Sequence, residues 1–115
     1  MKRNLKIAAL AAIAAANPEG FTVDAKTLQP VTSGYAVAVK ATQNSFNAEG
    51  LALVVDYAAT DSEVTAFGGW LDSETGLFYY DAVIIVEMLE DARQIAMRED
   101  QLAFYCLHEM KEYRI

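Results

Sequence analysis

The only cysteine and the only histidine of the chain stand two residues apart, at Cys106 and His108. In a strand their side chains would point to the same face of a sheet, and a thiolate beside a base is what nucleophilic catalysis requires. Side chains at this spacing stand about 7 Å apart along a strand, beyond hydrogen-bond reach. We therefore expect no catalysis by this pair, and a buried cysteine near a strand end.

The sequence also contains no motif for other kinds of catalysis or for cofactor binding. A zinc site needs several Cys or His ligands, and the chain has one of each. The sequence contains no phosphate-binding loop, dinucleotide fingerprint or nucleophile elbow, and no pair of carboxylates for hydrolysis can be located. We predict a non-enzymatic protein without metal or cofactor.

Five residues in the middle of the chain form a possible interaction site. Gly68 and Gly69 lack side chains, so a ligand or another backbone could approach closely beside Trp70; a bulge or close packing would explain them equally well. Tyr79 belongs to an aromatic run that could stack on a partner or pack within a hairpin. Asp81 interrupts an apolar strand, where it could act as an acid or base.

The charges of the chain are unevenly distributed around a net charge of −7. Residues 41–92 contain ten acidic residues and no lysine or arginine, whereas residues 1–46 contain five bases and two acids. Nucleic-acid binding depends on neutralising phosphates with lysine and arginine. The pattern therefore excludes nucleic acid as a binding partner. It indicates either a solvated acidic surface or a surface that contacts a basic protein partner.

The elements that carry these residues are expected to form one α+β domain over residues 1–115. A helix over 2–16 precedes a core, residues 34–107, with the order β-α-β-β-α-β, which is the ferredoxin-like antiparallel arrangement with both helices on one face. The expected strands are 34–40, 64–71, 77–86 and 102–107, followed by a short terminal strand, and the expected helices are 46–60 and 88–98. The loop 72–76 has the length and composition of an antiparallel hairpin.

Two details of this core can be specified further. Thr42, Asn44 and Ser45 are candidate caps for helix 46–60, and the buried face of helix 88–98 should comprise Met88, Leu89, Ala92, Ile95 and Ala96. The strands are apolar on both faces, so both faces of the sheet should be covered. The N-terminal helix is the first candidate for the second face, and a second copy of the chain is the other.

The N-terminal segment allows two interpretations. Ile7–Ala16 is an unbroken run of ten apolar residues, too short to cross a bilayer, which takes about twenty. Its alanines favour a retained helix over a cleaved signal peptide. We expect this helix to be folded and buried through Leu10 and its neighbours, and we expect no membrane association.

Several stretches resemble a group of small uncharacterised proteins encoded by conjugative elements and prophages of gut bacteria. They are Asn17–Val23, Val31–Ala38, Thr42–Phe46, and the strings around Gly68–Trp70 and Tyr79–Asp81. The resemblance carries no known catalytic chemistry. It implies a cytoplasmic accessory protein of a mobile element, and the single cysteine also suits a reducing compartment.

Three functions remain open at this point. The first is a non-enzymatic interaction protein that binds a partner through its acidic surface or its aromatic sheet. The second is an acidic inhibitor that mimics DNA and blocks a host nuclease or restriction enzyme. The third is a small-molecule-binding regulatory domain, an analogy at the level of fold alone.

Overall fold

The computed structural model describes residues 1–115 and contains three α-helices and seven β-strands. The helices are α1 (Arg3–Ala16), α2 (Asn47–Ala58) and α3 (Leu89–Arg98). The strands are β1 (Phe21–Asp24), β2 (Tyr35–Ala38), β3 (Ser45–Phe46), β4 (Ala66–Leu71), β5 (Phe78–Val86), β6 (Ala103–Cys106) and β7 (Lys111–Arg114), with a 3-10 turn at Lys40–Thr42. The predicted α+β class is confirmed.

All seven strands belong to one antiparallel sheet with the order β1-β4-β5-β2-β6-β7. The short β3 pairs with the first part of β5, and β2 pairs with its last part. The four strands expected between residues 34 and 107 lie together in the middle of this order. Because β1, β3 and β7 are added to them, the sheet is more complex than the four-stranded ferredoxin-like arrangement.

The β4–β5 hairpin has the antiparallel pairing that its loop predicts. The Asp72 N–H donates to the Leu77 carbonyl at 2.9 Å, and the Gly76 N–H donates to the Asp72 carbonyl at 2.8 Å. Gly76 closes the loop with a φ of +74°, a conformation that favours glycine. The resulting register places Trp70 beside Tyr79 and Gly68 beside Asp81.

All three helices pack on the same face of the sheet. Alternation along β5 directs Tyr80, Ala82 and Ile84 to this face, where they join the main core formed with α1 and α2. A second cluster packs α3 on β2 and β6 through Val37, Ala92, Ala96 and Phe104. The expectation that α1 covers the opposite face was therefore wrong, because Leu10 and Ala14 join the same core as α2.

Only one side of α1 is buried, although the helix is apolar on all sides. Leu10 is fully buried, and Ile7 and Ile13 pack partly against the core. Leu5, on another face, has 62% of its surface exposed. Arg3 holds the start of the helix against α2 through two hydrogen bonds to the Asp56 carboxylate, at 2.6 and 3.0 Å. No helix of the protein has the length and apolar character needed to cross a membrane.

The ends of two helices differ from expectation. Phe46 precedes α2, and no side chain caps the helix. Thr42 accepts a hydrogen bond from the Ala82 N–H at 3.1 Å instead, because it is buried beside β5. Met88 lies just before α3 and is exposed, so the buried face of that helix starts further along, at Ala92.

Candidate functional site

The face of the sheet opposite the helices carries most of the residues predicted for interaction. Because Tyr80, Ala82 and Ile84 point toward the helices, Tyr79 and Asp81 point the other way. The register then places further side chains on this helix-free face. They are Phe46, Trp70, Val83, Ala36, Ile85 and Tyr105.

Three aromatic side chains form a row across the end of this face, which we call the aromatic row: Phe46, Tyr79 and Trp70. The rings of Trp70 and Tyr79 stack with centroids 5.0 Å apart and planes inclined by 22°. Phe46 meets Tyr79 edge-on, with centroids 5.7 Å apart and planes at 72°. Phe46 and Trp70 expose 42% and 46% of their surface. Exposed aromatic residues of this size are typical of protein interfaces.

Local backbone structure fixes the row from two sides. The hairpin register sets Trp70 beside Tyr79, and the two-residue strand β3 sets Phe46 on the other side of Tyr79. Asn47 accepts a hydrogen bond from the Phe78 N–H at 3.4 Å, which joins the start of α2 to β5. The row is therefore held by paired strands and does not depend on a loop.

Asp81 lies on β5 two residues after Tyr79, on the same face of the sheet. Burial raises the pKa of Asp81 to about 6, and neither a hydrogen bond nor a neighbouring charge contributes to that shift. Its partner across β4 is Gly68, which has no side chain. A β-carbon at Gly68 would stand 3.3 Å from the Val83 Cγ2. Gly68 and Val83 are both buried, so glycine at this position permits close packing beside Asp81.

The charged residues that neighbour the aromatic row along the chain are acidic. Asp72 and Glu74 lie in the hairpin loop that follows β4, and Glu49 lies in the first turn of α2. Three of the nine bases form ion pairs with acids of other elements: Arg3 with Asp56, Lys40 with Asp100, and Arg98 with Glu63. Asp72, Glu74 and Glu49 form no ion pair, so this end of the sheet carries negative charge beside exposed aromatic rings.

Gly69 is separated from the other four predicted residues. It points to the helix side, where a β-carbon would stand 2.6 Å from the Phe21 ring and 2.7 Å from the Phe78 ring. Gly69 is therefore a packing residue beneath these rings. Successive residues of a strand alternate between faces, so the sequence Gly68, Gly69, Trp70 could have placed Gly69 on the face opposite Gly68 and Trp70. Phe46, which completes the row, carried no such signal in the sequence.

Cys106 and His108 do not share a strand. Cys106 ends β6 and is buried, and His108 lies in the turn between β6 and β7. Both border a cavity of about 530 Å³ together with Glu109 and Tyr113. The Tyr113 hydroxyl donates to Glu109, which raises the pKa of Tyr113 to about 12. The same hydrogen bond from Tyr113 lowers the pKa of Glu109.

A larger cavity, of about 630 Å³, lies at the opposite end of the sheet from the aromatic row. Its lining includes Arg3, Lys6, Lys26, Asp24 and Asp56. Several of these charges already have partners: Arg3 pairs with Asp56, and Lys6 lies 5.8 Å from the Phe67 ring centroid. No group of three or more His, Cys, Asp or Glu side chains in the protein is arranged to hold a metal ion.

Comparison with known proteins gives no match: no protein-family model, no curated protein and no solved structure corresponds to this chain. The fold is an α+β architecture with a seven-stranded antiparallel sheet covered by helices on one face. Its most unusual surface is the helix-free end with the aromatic row and Asp81.

Proposed function

We propose that this protein is a non-enzymatic interaction protein that binds a basic segment of a partner protein at the aromatic row. The observation that carries the proposal is the exposed Phe46–Tyr79–Trp70 row on a sheet face that no helix covers. On the resemblance of its sequence, we also propose that it serves as a cytoplasmic accessory protein of a mobile genetic element.

Charge supports a basic partner over a second copy of the chain. Residues 41–92 contain ten acids and no lysine or arginine, and Asp72 and Glu74 border the aromatic row on the hairpin side. Two copies meeting through this end would bring like charges together, which disfavours association. A positively charged partner would be attracted to the same surface and oriented by it.

The two alternative functions have weaker support. Ion pairs with Arg3 and Arg98 interrupt the acidic surface at Asp56 and Glu63, whereas a DNA mimic requires a continuous row of free acids. The larger cavity has many charged groups in its lining, whereas small-molecule pockets are mostly apolar. We therefore give preference to the interaction protein.

The experiment is affinity capture with mass spectrometry from a bacterium that encodes the protein, comparing the parent chain with Trp70→Ala. We expect at least one captured protein to be lost with this variant and to contain an arginine- or lysine-rich segment. Leu53→Ala is the matched control, since Leu53 is equally exposed, at 49%, on α2. It should retain the same partner.

Identical captured proteins from the parent and Trp70→Ala would contradict the proposal. Sedimentation measurements on both chains address self-association. A dimer that Trp70→Ala dissociates would assign the face to a second copy of the chain.

A further inference from the structure

We propose that the protein forms a symmetric dimer by pairing β7 with β7 of a second copy, in an antiparallel register centred on Tyr113. This interaction surface is separate from the aromatic row, because β2 and β6 lie between β5 and β7 in the sheet. The proposal goes beyond the function proposed above and does not depend on it.

β7 is the open edge of the sheet. At the other edge, residues 29–31 already bond to β1: the Asp24 N–H donates to the Gln29 carbonyl, and the Val31 N–H donates to the Thr22 carbonyl. β7 pairs only with β6, and three of its four residues are exposed. An open edge of this kind is a template for pairing with another strand.

The hydrogen bonds between β6 and β7 identify the backbone groups that face outward. The Ile115 N–H donates to the Leu102 carbonyl at 3.0 Å, so the backbone groups of Ile115 face β6. Along an antiparallel strand, successive residues direct these groups alternately toward one neighbour and the other. The N–H and carbonyl groups of Glu112 and Arg114 therefore point away from the sheet, where no neighbouring strand bonds to them.

Side-chain charge selects one register for these outward groups. Glu112 and Arg114 lie on the same face of β7, with the Arg114 Nε 3.5 Å from the Glu112 carboxylate. In a register centred on Tyr113, each Glu112 lies opposite Arg114 of the second copy, and each opposed pair exchanges both of its N–H···O bonds. Opposite charges directly across two strands stabilise the pairing.

The neighbouring registers are disfavoured by the same charges. A shift of two residues in either direction would place Glu112 opposite Glu112, or Arg114 opposite Arg114, and like charges in these positions are destabilising. Charged residues on an edge strand generally discourage pairing with other strands. Because their signs alternate along β7, they leave one complementary register for a second copy and make the pairing specific.

The surroundings of β7 are compatible with contact between two copies. Although the chain has a net charge of −7, residues 101–115 contain two acids and two bases. Two copies that meet here avoid the repulsion expected at the aromatic row. Leu102, Tyr105 and Ile115 are also large apolar residues that remain exposed around this edge. In the proposed register, Ile115 lies opposite Lys111 of the second copy, whose aliphatic stem covers apolar surface.

The test is sedimentation equilibrium of the full chain over a hundredfold range of concentration, in which we expect a monomer–dimer equilibrium. Glu112→Arg and Arg114→Glu should each weaken the dimer at least tenfold, because each variant places like charges opposite each other. An equimolar mixture of the two variants should dimerise again, since arginines of one copy then face glutamates of the other. Both variants remain acidic, so overall charge attraction does not explain this recovery.

Glu19→Arg is the matched control, because it changes the net charge as Glu112→Arg does, at an exposed position before β1 on the other edge of the sheet. It should change the dissociation constant of the dimer less than twofold. Trp70→Ala should also leave the dimer intact, which separates this surface from the aromatic row. Circular dichroism of each variant verifies that the fold is intact.

A monomer at every concentration would overturn the proposal. A dimer that neither β7 variant weakens would overturn it as well, and so would a mixture of the two variants that stays monomeric. A dimer that Trp70→Ala dissociates would assign self-association to the aromatic row instead. If Trp70→Ala captures the same proteins as the parent while the β7 variants dissociate the dimer, the function proposed above is wrong and the dimer stands.

Discussion

Gly50, the fourth residue of α2, lies against the backbone of Ser45 in β3. A β-carbon at Gly50 would overlap the Ser45 carbonyl carbon and stand 3.0 Å from the Ser45 Cα. Ser45 itself is buried and pairs with Tyr80. This contact sets the distance between α2 and β3, and therefore the position of Phe46 in the aromatic row.

Gly50→Ala should destabilise the protein, although alanine normally favours a helix over glycine by about 0.5–1 kcal/mol. The overlap with Ser45 must be relieved by moving α2 or β3, and we expect a loss of about 2 kcal/mol. Urea unfolding followed by circular dichroism measures this loss. Gly76→Ala is the comparison: its β-carbon would meet no neighbour within 4 Å, so only the positive φ should cost about 1 kcal/mol. A Gly50→Ala variant as stable as the parent would show that the contact can relax.

Asp81→Asn should stabilise the fold at neutral pH. Because the pKa of Asp81 is raised to about 6 from 3.8 in the folded state, the folded protein binds the proton more tightly than the unfolded chain. Ionisation of Asp81 therefore lowers the free energy of unfolding as the pH rises above about 4, and the effect is complete above about pH 6. A difference of two pKa units corresponds to a destabilisation of about 3 kcal/mol at pH 7 to 8.

The measurement is the difference in unfolding free energy between the parent and Asp81→Asn from pH 4 to 8. Taking the difference is necessary because hydrogen bonds lower the pKa values of Asp24, Asp56, Asp100 and Glu109 and act in the opposite direction. We expect the difference to be near zero at pH 4 and to grow above pH 6. A constant difference across this range would contradict the raised pKa.

Thr42→Val should cost about 1–2 kcal/mol, because it keeps the shape of the side chain and removes the acceptor for the Ala82 N–H. Thr42 is fully buried, so water cannot replace the lost acceptor. Thr42→Ser retains the hydroxyl and loses one methyl group. If urea unfolding shows the valine variant to be as stable as the parent, the hydrogen bond makes no net contribution.

Leu10→Asp should destabilise the protein by more than about 3 kcal/mol, because it places a charge without a partner in the main core. Leu5→Asp, on the exposed side of the same helix, should change stability by less than about 0.5 kcal/mol. Thermal unfolding of the two variants compares the two sides of α1 directly. Equal melting temperatures would mean that α1 does not contribute to the folded core.

The parts of the fold that could be predicted from sequence depend on local patterns. The loop 72–76 and the β-branched run before Val86 specify one hairpin, and that hairpin brings Gly68, Trp70, Tyr79 and Asp81 to one face. Alternation alone separates Gly69 from them. These inferences involve residues that are close together along the chain.

The parts that could not be predicted depend on contacts between distant residues. Phe46 joins the aromatic row through a two-residue strand, too short to give a periodic signal. Thr42 has the residue type of a helix cap, and only its burial against β5 reveals its bond to Ala82. The face of the sheet on which α1 packs could not be predicted for a similar reason, because a helix that is apolar all round does not indicate which of its sides is buried.

The position of β2 in the sheet has a consequence for the speed of folding. Tyr35 pairs with Val86 on one side and with Cys106 on the other. Both partners of β2 are therefore distant from it in sequence. Long loops must close before these pairings form, which places folding in the millisecond-to-second range. We expect the β4–β5 hairpin to be largely formed at the rate-limiting barrier and β2 to dock afterwards. Stopped-flow measurements of both refolding and unfolding test this order. The Val37→Ala variant should mainly unfold faster, whereas the Ala82→Gly variant should mainly fold more slowly.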